Sequence, residues 1–517
     1  MIYRSNRKLT NFASNIYNNN MLNKIRNVKI VDTTLREGEQ SIHCDLRTIE
    51  KLRIANYLFD MKVDYIEVVS PIVSKSSYDD CKEIVKQKRN GTQVLTHVRC
   101  HPMDIEKALE CGVDGINMYM ATSPILAKYS HKKGIDEVIR IATDMVNLVK
   151  SSGINVRFSC EDSFRSNIDD ILRVYKAIVA AGANRIGITD TVGISDSYIV
   201  KKLFNHLRRE LPHIDMEFHC HNDTGSANEN AFTAMRYGAT HINTTVLGIG
   251  ERNGITQLGA FLAKLCATDS ALDITRSRYN LSVLRDLETY IATICGIDIP
   301  FNNPITGTAF THKAGVHSNA AINDPKSYEI LQPDIFGVQR NICVASKLTG
   351  KNSIRKRAMD LNIFISEDTL VRITSIIKNL FDTEQPNIDK VDKILYMHRE
   401  ISPNSIVLTN TTRPKIIIRL DGHLFDKDII NRVADICTDN NVNNYDFETH
   451  PGIKDEIDST AFISIESEDI SVLQNVLNDM RGLMTSANIT HNICKMELIE
   501  CPVELNNYRT NKYDSAC

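Results

Sequence analysis

The chain has 517 residues, room for roughly three domains of about 150 residues, and its 42% hydrophobic and 24% charged residues are typical of a globular protein. A net charge of −3 argues against a nucleic-acid partner or a membrane surface, and no apolar run approaches the roughly 18 residues of a membrane span. The 13 cysteines include no CxxC pair, which predicts buried or free thiols in a reducing compartment.

The N-terminus is basic. Residues 1–31 contain six Lys or Arg residues and no Asp or Glu. This composition is typical of a mitochondrial transit peptide, and it predicts that residues 1–27 are an extension that directs the protein to the mitochondrial matrix. The alternative is a disordered polar tail ahead of a second start at Met21, in a cytoplasmic protein.

Eight short apolar runs follow, spaced about 20–40 residues apart with amphipathic, helix-like sequence between them. Each run ends in a polar or charged side chain. The runs are Val28–Thr34, Tyr65–Ser70, Gln93–Val98, Gly115–Met120, Asn155–Cys160, Arg185–Asp190, Met216–His221 and His241–Val246. Strand–helix alternation repeated eight times predicts an α/β fold, a (β/α)8 TIM barrel over residues 28–295, with its active site at the carboxyl ends of the strands.

The pattern changes after the barrel, where Pro300 and Pro304 interrupt it. We expect a mostly helical subdomain at residues 296–395, with a helix at Ser366–Leu380, then a polar linker at 396–413 and a polar tail at 501–517. Residues 414–500 read βαββαβ, which predicts a ferredoxin-like α+β domain. Its expected strands are Lys415–Leu420, Tyr445–Thr449, Ala461–Glu466 and Asn492–Leu498, and its expected helices are Asp426–Cys437 and Val472–Met484.

His219 and His221 end the seventh run, and a β-strand places residues two apart on the same face. Two imidazoles on one face can bind a divalent metal ion. Glu37, just after the first run, is the expected third ligand, because all strand ends meet at the barrel mouth. Two histidines and one carboxylate with open coordination positions suit a catalytic metal. An HxH pair alone is more often structural, so the metal assignment depends on Glu37 and on the barrel-end position.

Seven motifs occur in the order that is typical of homocitrate synthases, acyl-CoA-dependent barrel enzymes related to isopropylmalate synthase. They are DTTLREGEQ (Asp32–Gln40), LTHVRCH (Leu95–His101), SCEDSFR (Ser159–Arg165), HCHNDTG (His219–Gly225), GIGERNG (Gly248–Gly254), PFNNPITG (Pro300–Gly307) and FTHKAGVH (Phe310–His317). The resemblance covers about residues 28–395 and is closer than that to isopropylmalate or citramalate synthases. It implies a metal-dependent acyltransferase of lysine biosynthesis that condenses acetyl-CoA with 2-oxoglutarate to homocitrate and CoA.

The resemblance also implies roles for individual residues. Glu37, His219 and His221 would hold a divalent ion, Zn, Mg or Mn, that polarises the ketone. Arg36 would stabilise the developing alkoxide. The keto-acid pocket would be lined by Gln40, Glu67, His97, Arg157, Ser159 and Thr191.

Removal of a proton from the acetyl group is assigned by the same resemblance to Glu161, His317 and Tyr328. His317 and Tyr328 lie beyond the barrel and, in this family, reach into the barrel of the partner subunit. A homodimer with active sites completed in trans is therefore implied. The alternative for His317 is an ordinary histidine on a helix surface.

The motif Gly248–Gly254 has two interpretations. It follows the eighth run, where barrels often bind phosphate, and its backbone N–H groups would cradle the phosphates of CoA. Alternatively, its glycines form a packing turn.

Two residues depart from the family pattern. Ala127 stands where these enzymes have an arginine for the distal carboxylate of 2-oxoglutarate, and the adjacent Lys128 offers a point charge without the bidentate fork. The keto acid therefore stays open, with a citrate-, citramalate- or isopropylmalate-forming relative as the alternative. Asn117 replaces one of two acids that bind the inhibitor lysine in fungal members, and Glu217 matches the second, so an amino-acid effector would bind more weakly.

Residues 414–500 resemble the small domain of lysine-ketoglutarate reductase/saccharopine dehydrogenases, through Gly422–Asp426, Ser459–Glu466 and Val472–Leu483. This resemblance implies an effector-binding unit linked to lysine metabolism. A non-catalytic sensor of keto acids or amino acids is the alternative from a different class of protein. The intact set of catalytic residues argues against it.

Overall fold

The computed structural model describes residues 17–399, 415–422, 434–442, 444–450, 459–466 and 493–500, and residues 471–479 except 474 and 477. Residues 1–16 of the basic extension, most of the expected linker 396–413 and the expected tail 501–517 lie outside the described residues. The chain forms two compact units. The first runs to Thr311 and includes Glu329–Arg340, and the second contains His312–Tyr328 and the residues from Asn341 onward.

The first unit is built on a closed barrel of eight parallel strands in sequential order, in which the last strand pairs with the first. The strands are β1 Lys29–Asp32, β2 Tyr65–Val68, β3 Gln93–Arg99, β4 Gly115–Ala121, β5 Asn155–Glu161, β6 Arg185–Asp190, β7 Asp215–Cys220 and β8 His241–Thr244. All eight coincide with the apolar runs, so the predicted (β/α)8 barrel is confirmed.

Helices surround this barrel and turn one apolar face toward it. In α7, for example, Ile171, Val174, Tyr175 and Ile178 are buried at helical spacing. None of the helices in the described ranges is long and apolar enough to cross a membrane. The helices of this unit are α1 Asn19–Asn27, α2 Thr48–Met61, α3 Lys75–Gln87, α4 Pro102–Glu110, α5 Pro124–Leu126, α6 Ile135–Ser151, α7 Ile168–Ala180, α8 Ser197–Glu210, α9 Ala227–Tyr237, α10 Leu258–Leu265, α11 Asp269–Arg278 and α12 Leu284–Cys295.

Helix α1 lies within the segment that the sequence assigned to the N-terminal extension. Asn18 caps the helix by accepting a hydrogen bond from the Met21 amide. Met21 and Ile25, one turn apart, are buried in the barrel's hydrophobic core. Residues 19–27 therefore belong to the folded barrel unit, which corrects the assignment of residues 1–27 as a free extension.

Alternation along the strands separates two environments. Even-numbered residues such as Ile30 and Val94 join the large core between strands and helices, whereas Val31, Tyr65 and Leu95 form a small cluster of their own. Successive strand side chains point to opposite faces, so the odd-numbered residues face the barrel axis. Beyond that cluster, most of the side chains that face the barrel axis are polar, so they are available for binding or catalysis.

A buried ionic network fills the middle of the axis. The fully buried Glu217 carboxylate contacts Arg157 Nη2 at 2.9 Å and Arg185 Nε at 2.6 Å, and it accepts a hydrogen bond from Asn243 Nδ2 at 3.1 Å. A buried charge needs such partners. Gly187 leaves the space for this network, because a Cβ there would lie 2.6 Å from Arg157 Nε.

A disulfide joins Cys44, after the first strand, to Cys295 at the end of α12. This pair corrects the expectation that all the cysteines are thiols. The two residues are 251 positions apart and meet only because the barrel closes on itself, so nothing in the local sequence marks them. Cys81, Cys160 and Cys220 are buried free thiols, as expected.

The PFNNPITG loop is fixed to α12 by a buried acid. Glu288 Oε2 accepts hydrogen bonds from Asn303 Nδ2 at 2.9 Å and from the Thr306 hydroxyl. Its other carboxyl oxygen lies against Gly259, where a Cβ would approach to 2.5 Å. Burial raises the pKa of Glu288 to about 7, because the desolvated carboxylate is disfavoured.

This raised pKa predicts a pH-dependent stability. The neutral acid stabilises the fold fully below its unfolded-state pKa, and that contribution is lost as the pH rises through about 7. We expect parent protein to lose about 3 kcal/mol relative to Glu288→Gln between about pH 5 and about pH 8. Urea unfolding of both proteins across this range measures the difference. A difference that does not change with pH would contradict the buried-acid interpretation.

The second unit starts with helices and ends with a sheet. Its helices are α13 Gly315–Asn323, α14 Lys351–Asp360, α15 Glu367–Thr383 and α16 Ile388–Met397. The short strands β9 Thr311–His312 and β10 Asn341–Ile342 lie before and after α13 in the chain and pair with each other. The sheet consists of β11 Lys415–Gly422, β12 Asn444–His450, β13 Ser459–Glu466 and β14 Ile493–Glu500. The predicted helix Ser366–Leu380 corresponds to α15.

The four C-terminal strands form an antiparallel sheet in the order β12-β13-β11-β14. This is the strand order of a ferredoxin-like βαββαβ domain, as predicted. Residues 434–439 and the described residues of 471–479 are helical. The rest of the two expected helices lies outside the described residues.

Candidate active site at the barrel mouth

A cavity of about 390 Å³ opens at the carboxyl ends of the strands. Ten of the predicted site residues line it: Arg36, Glu37, Gln40, His97, Arg157, Ser159, Glu161, Thr191, His219 and His221. Glu67 is fully buried, is not part of the lining, and contacts Arg36. Lys128 is not among the lining residues, and its Nζ lies 4.8 Å from the centre of the Tyr129 ring. The cavity therefore collects most of the predicted site but not the lysine.

Glu37, His219 and His221 converge at one side of this cavity. Each histidine Nε2 lies 3.9 Å from a Glu37 carboxylate oxygen, and the two Nε2 atoms are 3.3 Å apart. The potential ligand atoms all lie within 4.8 Å of one another. Strand β7 sets this geometry, because its side-chain period brings residues 219 and 221 to the same face.

The protonation states of these histidines suit a metal ion. Burial lowers the pKa of His219 far below its ordinary value, and the neighbouring His221 adds to the effect. Burial likewise lowers the pKa of His221. Neutral imidazoles have a lone pair to offer, and two of them with one carboxylate match the donor set of a catalytic divalent ion. The residues present therefore fit the group.

Arg36 is held beside this triad by two carboxylates. Its Nε donates to Glu67 Oε1 at 2.7 Å, and its Nη1 contacts Glu37. Burial alone would raise the pKa of Glu67, but the charge of the Arg36 guanidinium lowers it to about 2, so Glu67 stays ionised. The guanidinium is therefore fixed and charged where an oxyanion would form.

Strands β3 and β5 also place hydrogen-bond donors in the cavity. Within the described part of the chain, Arg157 Nε and Nη1, Ser159 Oγ and His97 Nε2 are buried without a hydrogen-bond partner. Burial, followed by the charge of Arg36, lowers the pKa of His97 to about 3, so its 3.8 Å approach to Glu67 is not an ion pair. Buried donors of this kind are costly unless a ligand satisfies them.

The glycine-rich turn Gly248–Gly254 packs closely against the metal-ligand side. A Cβ on Gly250 would lie 3.0 Å from Glu37 Oε1, and one on Gly254 would lie 1.8 Å from the Gly248 carbonyl oxygen. The Glu251 amide donates to Glu37 Oε1 at 3.0 Å. These contacts support the packing interpretation of the motif over the phosphate cradle.

Three family models match the chain. An HMGL-like model matches residues 27–291, a homocitrate synthase post-HMGL domain-like model matches residues 305–385, and a model of the LOR/SDH bifunctional enzyme conserved region matches residues 415–506. The mitochondrial homocitrate synthase of Saccharomyces cerevisiae is 45% identical over 74% of this chain and 86% of its own length. The chain belongs to the homocitrate synthase family.

Other homocitrate synthases are similar over comparable lengths. The cytosolic isozyme of Saccharomyces cerevisiae is 44% identical over 75% of this chain and 90% of its own. The homocitrate synthase of Sulfurisphaera tokodaii is 32% identical over 90% of this chain and 99% of its own. An HMG-CoA lyase structure from Bacillus subtilis covers 54% of this chain and 97% of its own at 20% identity, with a TM-score of 0.49.

The inference drawn from the seven motifs is thus confirmed: the chain is an enzyme of the homocitrate synthase type, an acyltransferase. Homocitrate synthases use a metal ion and acetyl-CoA. The likeness of residues 414–500 to the small domain of the saccharopine dehydrogenase enzymes is confirmed as well.

His317 and Tyr328, the expected proton-transfer residues of homocitrate synthases, belong to the second unit. Their ring centres are 4.4 Å apart, and Tyr328 is 49% exposed. The two side chains therefore form a pair on α13 and the turn that follows it. Their proton-transfer role stays a prediction.

Some cavity residues were missed by the sequence interpretation. Tyr119 packs edge-on against His97 with ring centres 4.6 Å apart, and Arg252 lines the same cavity. Tyr119 is an odd-numbered residue of β4, so strand alternation marks it as facing the barrel axis. The sequence carries no equivalent signal for Arg252, which lies in a turn.

Glu161, at the end of β5, has a raised pKa. Burial is the main cause, and the adjacent Asp162 adds to it. If Glu161 acts as a base in its ionised form, kcat/KM falls as the pH drops through this raised pKa. Asp162→Asn removes the second cause, and asparagine tolerates the left-handed backbone at this position, where φ is 63°. We expect the acid limb of the pH–rate profile to move to lower pH in this variant. An unchanged limb would contradict a measurable contribution of Asp162 to the pKa of Glu161.

Proposed function

We propose that this chain condenses acetyl-CoA with 2-oxoglutarate in a metal-dependent reaction that gives homocitrate and CoA, the first step of lysine synthesis by the α-aminoadipate route. One observation carries the proposal. The Glu37–His219–His221 triad, the fixed Arg36 and the buried donors around Arg157 line one small cavity. A keto dicarboxylic acid has two polar ends that match these two sets.

The triad side receives the reacting end of the keto acid. A divalent ion bound by Glu37, His219 and His221 would supply Lewis-acid polarisation of the 2-oxo group. Arg36 stabilises the alkoxide that forms at this carbon, because its guanidinium is already held in place by Glu67. Gln40, which also lines the cavity, orients the adjacent carboxylate.

The distal carboxylate binds the buried donors. Arg157, Ser159, His97 and Thr191 line this part of the cavity, and the neutral His97 Nε2 is available to a ligand. Arg157 supplies the charge that the missing arginine at position 127 supplies in relatives. Its side chain is oriented by the ionic contact with Glu217.

Glu161 and His317, assisted by Tyr328, move the proton. They remove it from the acetyl methyl group, whose carbon then forms a bond with the 2-oxo carbon. Hydrolysis of the resulting thioester releases CoA. The raised pKa of Glu161 supports this role, because a base with a pKa nearer to neutrality is a better proton acceptor and donor.

The distal-carboxylate assignment predicts a difference between two neighbouring positions. Ser159→Ala should raise the KM for 2-oxoglutarate about fivefold, about 1 kcal/mol, because one buried hydrogen bond is lost. Lys128→Ala should leave this KM within about twofold, because Lys128 does not line the cavity. Steady-state kinetics on both variants measures the two values. A large effect of Lys128→Ala with none of Ser159→Ala would move the distal contact to the lysine.

Release of the CoA thiol from acetyl-CoA with a panel of keto acids tests the proposed function. 2-Oxoglutarate should give the highest kcat/KM, ahead of oxaloacetate, pyruvate and 2-oxoisovalerate. Preference for one of the other three would support the citrate-, citramalate- or isopropylmalate-forming alternative. Binding of a keto acid without thiol release would support the sensor alternative.

We propose that the enzyme is a homodimer whose active sites are completed in trans. His317 and Tyr328 lie on a unit separate from the barrel, and Val316 beside them is 76% exposed. This arrangement suits residues that serve another subunit. The domains proposed are the barrel at 28–295, the subdomain at 296–395, the linker at 396–413 and the ferredoxin-like domain at 414–500.

We propose the mitochondrial matrix as the location, on the basis of residues 1–16, which contain Arg4, Arg7 and Lys8 and no Asp or Glu. Homocitrate synthases with mitochondrial and cytosolic names are both similar to this chain, so the cytoplasm is the alternative.

We propose that the C-terminal domain binds an amino-acid effector. In the barrel, a basic effector would have to compete with Arg157 and Arg185 for Glu217, while Asn117 accepts from Arg185 Nη2 at 3.5 Å. We therefore expect weak inhibition by lysine at that position.

A further inference from the structure

Arg252 joins three strand-end loops at the barrel mouth. Its Nε and Nη2 donate to the two Asp223 carboxylate oxygens at 2.8 and 2.9 Å, and Nη2 also donates to the Thr191 carbonyl oxygen at 2.7 Å. Thr191 follows β6, Asp223 follows β7 and Arg252 follows β8. A bidentate guanidinium–carboxylate pair fixes geometry as well as charge, so these three loops are held in one arrangement.

The same turn touches the loop after the first strand. The amide of Glu251, the residue before Arg252, donates to Glu37 Oε1 at 3.0 Å. Gly250 brings the backbone against the same carboxylate, because a Cβ there would lie 3.0 Å from Oε1. The turn is thus both a hydrogen-bond donor to Glu37 and a wall beside it.

The backbone at Arg252 is in a conformation that side chains rarely adopt. Its φ is 53°, in the left-handed region that favours glycine. Such a residue persists only where surrounding contacts determine its position, and the bonds to Asp223 and Thr191 are contacts of this kind. A disfavoured conformation next to a cluster of potential metal ligands points to a role in that cluster.

We propose that Arg252 is a positioning residue for the metal centre. By fixing the turn, Arg252 aims the Glu251 amide at Glu37 Oε1 and so sets the orientation in which the carboxylate faces His219 and His221. This inference rests on the proposed metal-dependent function. Groups that orient a metal ligand typically change metal affinity 10–100-fold when they are lost.

Charge alone predicts the opposite effect. The Arg252 guanidinium repels a cation bound between Glu37 and His221, so its removal would strengthen metal binding if only Coulomb forces acted. Positioning predicts weaker binding in the same variant. The direction of the change therefore separates the two effects.

The experiment compares Arg252→Gln and Arg252→Lys with Arg340→Gln as a matched control. Arg340 also forms a bidentate pair, with Glu329 at 2.7 Å for both contacts, and its side chain is 30% exposed against 40% for Arg252. Full-length, metal-stripped protein is titrated with Zn²⁺ or Co²⁺ in competition with a chromophoric chelator. Melting temperatures of the metal-free proteins check that the fold is intact.

We expect Arg252→Gln to bind the ion about 10–100-fold more weakly than the parent and to change the visible spectrum of the Co²⁺ form. Arg252→Lys should be intermediate, because it keeps the charge but not the fork. Arg340→Gln should stay within about twofold of the parent.

The inference is overturned if both Arg252 variants bind the metal ion as tightly as the parent or more tightly. It is also overturned if the KM for 2-oxoglutarate rises while metal affinity is unchanged, because Arg252 would then be a substrate contact. If the parent itself binds no ion, the proposed function fails and this inference fails with it. If Arg252→Gln does not fold, Arg252→Lys decides by the same criterion.

Discussion

Alanine at His219 or His221 is expected to abolish condensation, lowering kcat by at least about a thousandfold. Each Nε2 lies 3.9 Å from Glu37, and the triad offers three ligand atoms in all. Removal of one leaves two, which do not hold a catalytic ion well at micromolar concentrations. Activity and metal content are measured together, the latter by elemental analysis after exhaustive dialysis.

His206→Ala provides the control for this prediction. His206 lies on α8, outside the cavity, and its substitution should leave both activity and metal content near those of the parent. Retention of a full equivalent of metal and normal turnover in His219→Ala would show that the triad is structural.

Mixing two inactive chains is expected to restore activity if the sites are completed in trans. A dimer of one Glu37→Ala chain and one His317→Ala chain has one site with both defects and one site with neither. Random reassembly of an equal mixture should therefore recover about a quarter of the parent activity, because about half of the dimers are mixed and half of their sites are intact. Steady-state assays of the reassembled mixture measure this recovery.

The control mixture combines a Glu37→Ala chain with a His219→Ala chain, so that both substitutions affect barrel residues. There each mixed dimer has one defect in each barrel, so no intact site forms and no activity should return. Equal recovery in both mixtures would point to exchange artefacts. No recovery in verified mixed dimers of the first kind would place His317 in cis or outside catalysis.

The barrel could be predicted from the sequence because each strand carries its own signal. Apolar residues alternate with axis-facing residues along runs of four to seven residues, and helical periodicity separates the runs. The position of His219 and His221 followed from the period of a single strand. Their closeness to Glu37 followed from the rule that strand ends meet at one mouth.

Features that depend on a contact between two separate segments could not be predicted. The Cys44–Cys295 disulfide, the Glu288–Asn303 contact and the Arg252–Asp223 pair each join segments whose sequences carry no sign of the partner. The sequence also could not tell whether Lys128 lines the cavity, and the structure shows that it is not among the lining residues. Helix α1 was missed because its basic, Asn-rich composition outweighed the single pair Met21 and Ile25.

Gly187 shows how a small residue can define a functional cavity without a motif. The glycine has no recognisable pattern around it, yet a Cβ there would lie 2.1 Å from Ser159 Oγ. Its substitution by alanine would displace Ser159 and Arg157, the donors assigned to the distal carboxylate. The substrate pocket thus depends on the absence of a side chain as much as on the donors themselves.

The most direct test of the central claim is product analysis with metal-stripped and metal-reconstituted protein. Acetyl-CoA labelled with ¹³C in the acetyl group is incubated with 2-oxoglutarate, and the products are identified by mass spectrometry. We predict labelled homocitrate that appears only after a divalent ion is restored, with half-maximal activity at the ion concentration that half-fills the Glu37–His219–His221 site. Labelled homocitrate formed equally well by metal-free protein, or no labelled product in either form, would contradict the account.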